Sequence, residues 1–411
     1  MVDPFTGLDS DRILPMTVKS SFDFLVVGRG LLASASARHL AIENSNVALI
    51  GPTEEQCLQS KMVFASHFDN TRVQRIIAQD ELWTRLNLDS AKSWKSLQDQ
   101  TGIDFYQQNG CIYLNNHEDE YLKSASNIAD EFDLRFEKIR NASDLKAISP
   151  GLSIEGDILG IYESNLAGQI NPRALVSAQL KAFAELGGTE INDLVIELSQ
   201  TQGGWLIKTH SGESYFAKKV LVAAGAFTNY FSLIPRPLKF DNKSEVVIMA
   251  KLTKDDYLSM RDMPSLLFEK KVEEFDGIYL TAPTEVEDGS YIMKMGLNQS
   301  IDRNLNEQSA MEDWFALGDY RGFALVLERE LRKLFPTTSF VETYLKPCVI
   351  SRTVTENPYI GEVDSGLFVL LGCNGYSAMS SDAQGRQATA LITSGKFDEG
   401  YKESDFALIY K

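Results

Sequence analysis

An apolar run, Phe22-Asp-Phe-Leu-Val-Val-Gly28, leads straight into Gly28-Arg-Gly30-Leu-Leu-Ala33 and then into small, helix-compatible residues, Ser34-Ala-Ser-Ala-Arg-His-Leu-Ala41. A strand, a glycine turn and a helix in that order form a seat for a dinucleotide. Gly28 permits the turn, Gly30 lets the backbone approach a pyrophosphate, and Ala33 keeps the helix close to the sheet. Free N–H groups at the helix start, around Leu31 and Leu32, face the phosphates. A second apolar run, Val47-Ala-Leu-Ile50, completes a βαβ unit of roughly 30 residues. These features predict nucleotide-cofactor binding, with Gly28, Gly30, Leu31 and Leu32 in contact.

One expected element is missing. Where such units place an Asp or Glu on a ribose hydroxyl, at the end of the second strand, this chain reads Gly51-Pro52-Thr53-Glu54-Glu55. Glu54 or Glu55 reaching back, Thr53 with the backbone, or a loose hold on the adenosine end are the alternatives. Without the acid, a nicotinamide dinucleotide is the less favoured ligand.

A chain of 411 residues predicts two domains. Its hydrophobic fraction of 44% fits a folded globular protein. A formal net charge of −17 argues against nucleic-acid and anionic-membrane partners. No apolar run approaches the roughly 18 residues of a membrane helix, and Met1-Val-Asp-Pro-Phe5 carries no basic-then-apolar signal, so a cytoplasmic location is expected. The cysteines Cys57, Cys111, Cys348 and Cys373 have no paired metal spacing, and with four histidines no metal site is expected.

Helical periodicity marks 80–86, 90–100, 118–132, 173–186 and 382–394. Residues 105–114 read as a strand pair turning at Asn109-Gly110. A strand near Leu194-Val195-Ile196-Glu197 precedes a hairpin through Gly203-Gly204, then a run ending Ala223-Ala224-Gly225. Residues 245–300 alternate apolar and polar, predicting a mostly antiparallel sheet. A second strand, glycine turn and helix follows at Leu367–Leu371, Gly372-Cys-Asn374-Gly375-Tyr376-Ser377-Ala-Met379 and the residues beyond.

These segments, taken in order over about residues 22–395, resemble the D-amino-acid oxidase superfamily of FAD enzymes, most closely the monomeric sarcosine oxidase and N-methyltryptophan oxidase group. The resemblance implies an α/β fold: a Rossmann-like FAD-binding domain of the glutathione-reductase type, interleaved with a mainly antiparallel substrate domain with helices. The implied division is an N-terminal arm over 1–21, an FAD-binding domain over 22–78, 150–232 and 340–411, and a substrate domain over 79–149 and 233–339. The segment Ser66-His67-Phe-Asp69-Asn-Thr71-Arg72-Val-Gln-Arg75 is similar to the family's Ser-His-x-Gly-Asp-Thr-Arg-x-x-Arg. That similarity puts Ser66, His67, Thr71 and Arg72 near the flavin and Arg75 at the substrate carboxylate, where a planar guanidinium pairs two oxygens. Pro52, Thr53, Val195, Ala224 and Gly225 are implied cofactor contacts, as are Asn374, Gly375, Tyr376, Ser377 and Met379 at the second turn. Tyr291-Ile-Met-Lys294-Met-Gly296 resembles the strand whose lysine activates oxygen beside the flavin, and Cys348 falls where sarcosine oxidases join cysteine to the flavin 8α carbon.

Departures stand beside these matches. Met379 replaces a second carboxylate-binding lysine, Tyr376 and Asn298 replace histidines, and Ile350 replaces an aromatic residue. Arg352-Thr-Val-Thr-Glu-Asn-Pro358 keeps an arginine that glycine-oxidase-like members use for the carboxylate. The implied catalytic set is therefore Lys294, Arg75, Arg352 and Tyr376. The implied reaction oxidises the C–N bond of an amine or amino acid, of secondary or N-methyl type, to an imine, with oxygen reduced to hydrogen peroxide. FAD is the implied cofactor, with Cys348 as a covalent anchor. The alternatives are a dehydrogenase passing electrons to a quinone or carrier protein, and an FAD-binding subunit with little catalysis.

Overall fold

The computed structural model describes residues 18–60, 69–318 and 320–411. Ser66, His67 and most of the arm expected over 1–21 lie outside the described residues.

The first sheet grows around the strand Ser20–Val27, which pairs in parallel with Val47–Ile50 on one side and Ser214–Val222 on the other. Val47–Ile50 pairs onward with Thr189–Ile191, also in parallel. Ser214–Val222 has two partners along its length. Its first half runs antiparallel to Gly204–Thr209, and its last residues, from Val220, run parallel to Leu367–Leu371. The central strands are buried on both faces, as parallel sheets under helices require. The helices Leu31–Glu43, Pro172–Glu185, Glu81–Thr101 and Ser377–Ser394 pack together against this sheet.

Small residues allow that packing. A Cβ on Gly385 would stand 2.7 Å from the Ser36 nitrogen, so the first and last helices meet at backbone contact. Polar residues then pin the bundle. Asp382, buried in the last helix, accepts from Arg38 at 2.6 Å, Gln179 at 2.9 Å and Ser93 at 2.7 Å, one from each of the other three helices. Burial pushes its carboxyl up, but His39, Arg38 and Gln179 outweigh that and hold it well below the ordinary carboxylate range.

The second sheet has eight strands in the order Glu342–Thr353, Phe240–Leu252, Tyr291–Gln299, Phe275–Glu285, Ser265–Glu269, Cys111–Asn115, Leu159–Glu163 and Glu137–Ile139. All neighbours are antiparallel except Ser265–Glu269 with Cys111–Asn115. Val246, Ile248, Ala250, Met293, Met295, Leu297, Ile278 and Leu280 share one core under it, with Trp314, Leu327 and Leu331 of the covering helices. Alternation along each strand therefore sends the residues between them to the opposite face.

Three expectations change. The segments at 80–86 and 90–100 form one helix, Glu81–Thr101, because nothing between them breaks it; Asp80 caps its start and left-handed Gly102 ends it. Residues 105–114 are not a hairpin. Tyr106–Gln107 pairs with Gly168–Ile170, which also pairs with Arg72–Gln74, whereas Cys111–Asn115 enters the eight-stranded sheet. Gly110, at φ +85° against the Tyr162 ring, is where the chain crosses between sheets. Leu159–Glu163 and Glu342–Thr353, placed by the expected division in the cofactor half, are built into the second sheet, and Glu81–Thr101, placed in the other half, joins the helices of the first.

Candidate active site

The opening turn is as tight as its sequence demands. Gly28 sits at φ +126°, and a Cβ there would stand 2.4 Å from the Ala223 carbonyl oxygen. Gly30 caps the helix Leu31–Glu43 with no side chain on its free N–H groups and no acid in the first turn. The second turn repeats the design. Asn374 holds a left-handed conformation and accepts from the Thr353 N–H at 2.9 Å, Gly375 follows at φ +88°, and Tyr376 opens the helix Ser377–Ser394, again uncapped and without an early acid. Leu31, Ala378 and Met379 share one core, so the two uncovered helix starts lie close together and suit an anionic ligand. The Ser377 hydroxyl is buried there with no partner.

Gly51 has a steric reason. A Cβ would approach Arg29 Cβ and the Gly28 carbonyl carbon to 3.0 Å, so an acid at this position would push on the turn. Glu54 does not reach back toward that position; it pairs with Arg173 at 2.8 Å. Thr53 and Gln56 bond reciprocally at the start of the short helix after Pro52. Val195 lies in the core shared by Val27, Ile50 and Val222, and Ala224 and Gly225 follow the strand end that abuts Gly28.

The face of the second sheet opposite its core packs on Arg72–Gln74 and forms the roof of the candidate site. Lys294 sits between core-facing Met293 and Met295, so its own side chain points to the other face. Cross-strand pairing puts Met249 and Thr281 beside Lys294, Tyr279 beside Gly296, and Glu245 opposite Cys348. A Cβ on Gly296 would stand 2.1 Å from the Tyr279 ring, which explains that glycine. Lys294 is only 2% exposed and donates to Asp69 at 2.8 Å and to the Thr71 carbonyl at 3.1 Å. Burial and the nearby Arg72 guanidinium push its pKa well below the ordinary lysine value, against the opposing pull of Cys348 and Glu245. Arg72 shares Asp69. Glu245 accepts from the Tyr279 hydroxyl through one oxygen, and its other oxygen is buried without a partner. Burial raises the Cys348 thiol pKa, opposed by Arg72.

Arg75 lies at the other end. It is 5% exposed, and its Nε and Nη1 have no hydrogen-bond partner. The rings of Tyr121, Tyr376 and Tyr113 stand 5.1, 5.7 and 6.0 Å from the guanidinium carbon. Glu163 fixes the chain just beyond it, accepting from the Ile76 and Ile77 N–H groups at 3.0 and 2.9 Å. Met379 is buried among apolar neighbours, and Tyr376 packs 4.9 Å from Trp83. Arg352 shares the strand of Cys348 but is exposed, and it is not gathered into the buried cluster.

The sequence matches the family described as FAD dependent oxidoreductase (DAO) over residues 23–391. The chain belongs to that family. Human peroxisomal sarcosine oxidase is 26% identical to this FAD dependent oxidoreductase over 216 residues, 51% of this chain and 52% of that protein. Monomeric sarcosine oxidase of Streptomyces avermitilis is 22% identical over 213 residues, 50% and 52% of the two chains. The chain thus spans about half the length of the curated relatives it matches. Among solved structures, NikD, an unusual amino acid oxidase essential for nikkomycin biosynthesis, superposes with TM-score 0.77 at 18% identity, covering 95% of this chain and 98% of its own. L-proline dehydrogenase from P. horikoshii gives 0.73 at 19%, covering 93% and 96%. These likenesses establish the fold.

FAD fits what the residues offer. Gly28, Gly30 and the two uncapped helix starts can take its phosphates, and the Ser377 hydroxyl and the second Glu245 carboxylate oxygen lack a partner among the described residues. Asp69, Glu163, Glu245, Tyr279, Tyr113 and Tyr121 were not singled out from sequence. The lone acid ahead of Val246-Val-Ile-Met would have marked Glu245, whereas Tyr279 lies on the neighbouring strand and only the cross-strand register brings it to this face.

Proposed function

We propose that this flavoprotein oxidises the C–N bond of an amine that carries a carboxylate, a secondary or N-methyl amino acid, to the imine. One observation carries the reading. A guanidinium buried with two N–H-bearing nitrogens unpaired is costly unless a ligand completes it, and a carboxylate is the geometric match. Arg75 would hold that carboxylate between the tyrosine rings, and Tyr376, at the start of the last helix, would bound the pocket on the cofactor side. When bound, FAD supplies the chemistry, accepting the hydride equivalent from the carbon beside the nitrogen. The apolar walls and buried tyrosines exclude water, so hydrolysis of the imine follows release. Cys348, on the roof beside Glu245, is the residue we assign as covalent anchor.

Two acceptors suit a reduced flavin beneath a buried lysine: molecular oxygen, giving hydrogen peroxide, and a quinone or carrier protein.

The reading is tested by mixing the yellow holoprotein under nitrogen with N-methyl and secondary amino acids, and with the same amines lacking the carboxylate. Bleaching of the flavin band by the carboxylate-bearing members alone is expected. Bleaching that ignores the carboxylate, or none across the panel, overturns it.

A further inference from the structure

Lys294, on the roof, is held by a carboxylate from another segment. Its ammonium has three hydrogens; Asp69 takes one at 2.8 Å and the Thr71 carbonyl another at 3.1 Å. Both acceptors belong to the stretch that leads into Arg72–Gln74, so this stretch fixes the position of the ammonium and places a carboxylate against it. Asp69 is buried, where its charge acts at short range with little screening. Glu245, on the same face, adds a second buried carboxylate. In the family segment quoted above a glycine stands at this position, so the carboxylate is a feature of this chain.

We propose that Asp69 is a positioning residue that holds the Lys294 ammonium and compensates its charge, and so restrains the reaction of the reduced site with molecular oxygen. The inference rests on the assignment of Lys294 beside the flavin. Reoxidation removes two electrons and two protons from the reduced flavin. Given to oxygen they make hydrogen peroxide, the first electron creating superoxide anion; given to a quinone they make the hydroquinone. A fixed cation favours the anion that forms in the first route. A carboxylate 2.8 Å from that cation repels the same anion, and a neutral quinone is less sensitive to either.

The test uses holoenzyme reduced with dithionite, so no amine substrate is needed. Reduced wild type is mixed with oxygen and, separately, with benzoquinone. Wild type should react with oxygen no faster than free reduced FAD in the same buffer. Asp69→Asn should raise the ratio of oxygen rate to quinone rate at least tenfold and move the flavin midpoint potential to more positive values. Asp69→Glu should restore the low ratio, and Asp69→Asn combined with Lys294→Met should abolish the gain. A wild-type oxygen rate ten or more times that of free reduced FAD overturns the proposal, even if no Asp69 variant retains cofactor. So does a ratio within twofold of wild type in Asp69→Asn, or a gain that survives loss of Lys294. Failure of the amine panel under nitrogen would leave these outcomes unaffected, so the two readings fail separately.

Discussion

Glu163 offers a test of the site's electrostatics through stability. Burial pushes its carboxyl up to about 7, opposed by the Ile77 and Ile76 N–H groups and by Arg75. An acid whose folded pKa lies above its unfolded value of 4.5 binds more protons in the native state between those two values, so stability falls as pH rises through that window. For one such group the loss between pH 5.5 and pH 8 is about 2 kcal/mol. Glu163→Gln keeps the shape and an acceptor for the two N–H groups but cannot ionise. Urea midpoints of the holoprotein, measured from pH 5.5 to 8.5 for both proteins, should show the variant gaining about 2 kcal/mol on wild type across the range. A wild-type minus variant difference flat with pH would refute the placement of Glu163 as a dry, titrating carboxyl. Histidines and surface acids titrate in both proteins and cancel in the difference.

Three other outcomes follow from the geometry. Gly28→Ala puts a methyl against the Ala223 carbonyl at an unfavourable φ, and most of the variant should fail to take up flavin before attachment, read from the ratio of visible to ultraviolet absorbance. Asp382→Asn leaves Arg38 in a buried network without its carboxylate, and should cost about 3–5 kcal/mol in urea unfolding, with an unchanged flavin spectrum in the folded protein. Arg75→Met should raise KM for a carboxylate-bearing amine by about 100-fold or more, with the flavin content of the purified protein unchanged.

The parts legible in the sequence are those whose cause is local. Phe22 to Ala41 reads correctly because one residue type at each of Gly28, Gly30 and Ala33 fixes turn, approach and packing. The alternation around Met293-Lys294-Met295 separates the lysine from its neighbours, although which face would be buried depends on Asp69 and Thr71, far away in the chain. The turn at Asn109-Gly110 misleads for the opposite reason. Its flanks look like hairpin strands, but Gly168–Ile170 and Leu159–Glu163 offer better partners, and no local signal reveals them. Arg352 matched a motif and is exposed, whereas Glu163, which matched nothing, orders the backbone beyond Arg75. Motifs record residue types; the charge partners come from tertiary pairing.

The strand Ser214–Val222 spends its first half on a hairpin and its last residues on Leu367–Leu371. The two helix starts of the cofactor crevice lie at Leu31 and Ser377, and only the closing of that late parallel pair brings the second one home. On the ribosome, a chain that has already made its glycine turn still lacks half of its phosphate grip until nearly all the residues described here have emerged. A chain stopped before Leu367 would leave the end of Ser214–Val222 without that strand partner and the site without its second helix start.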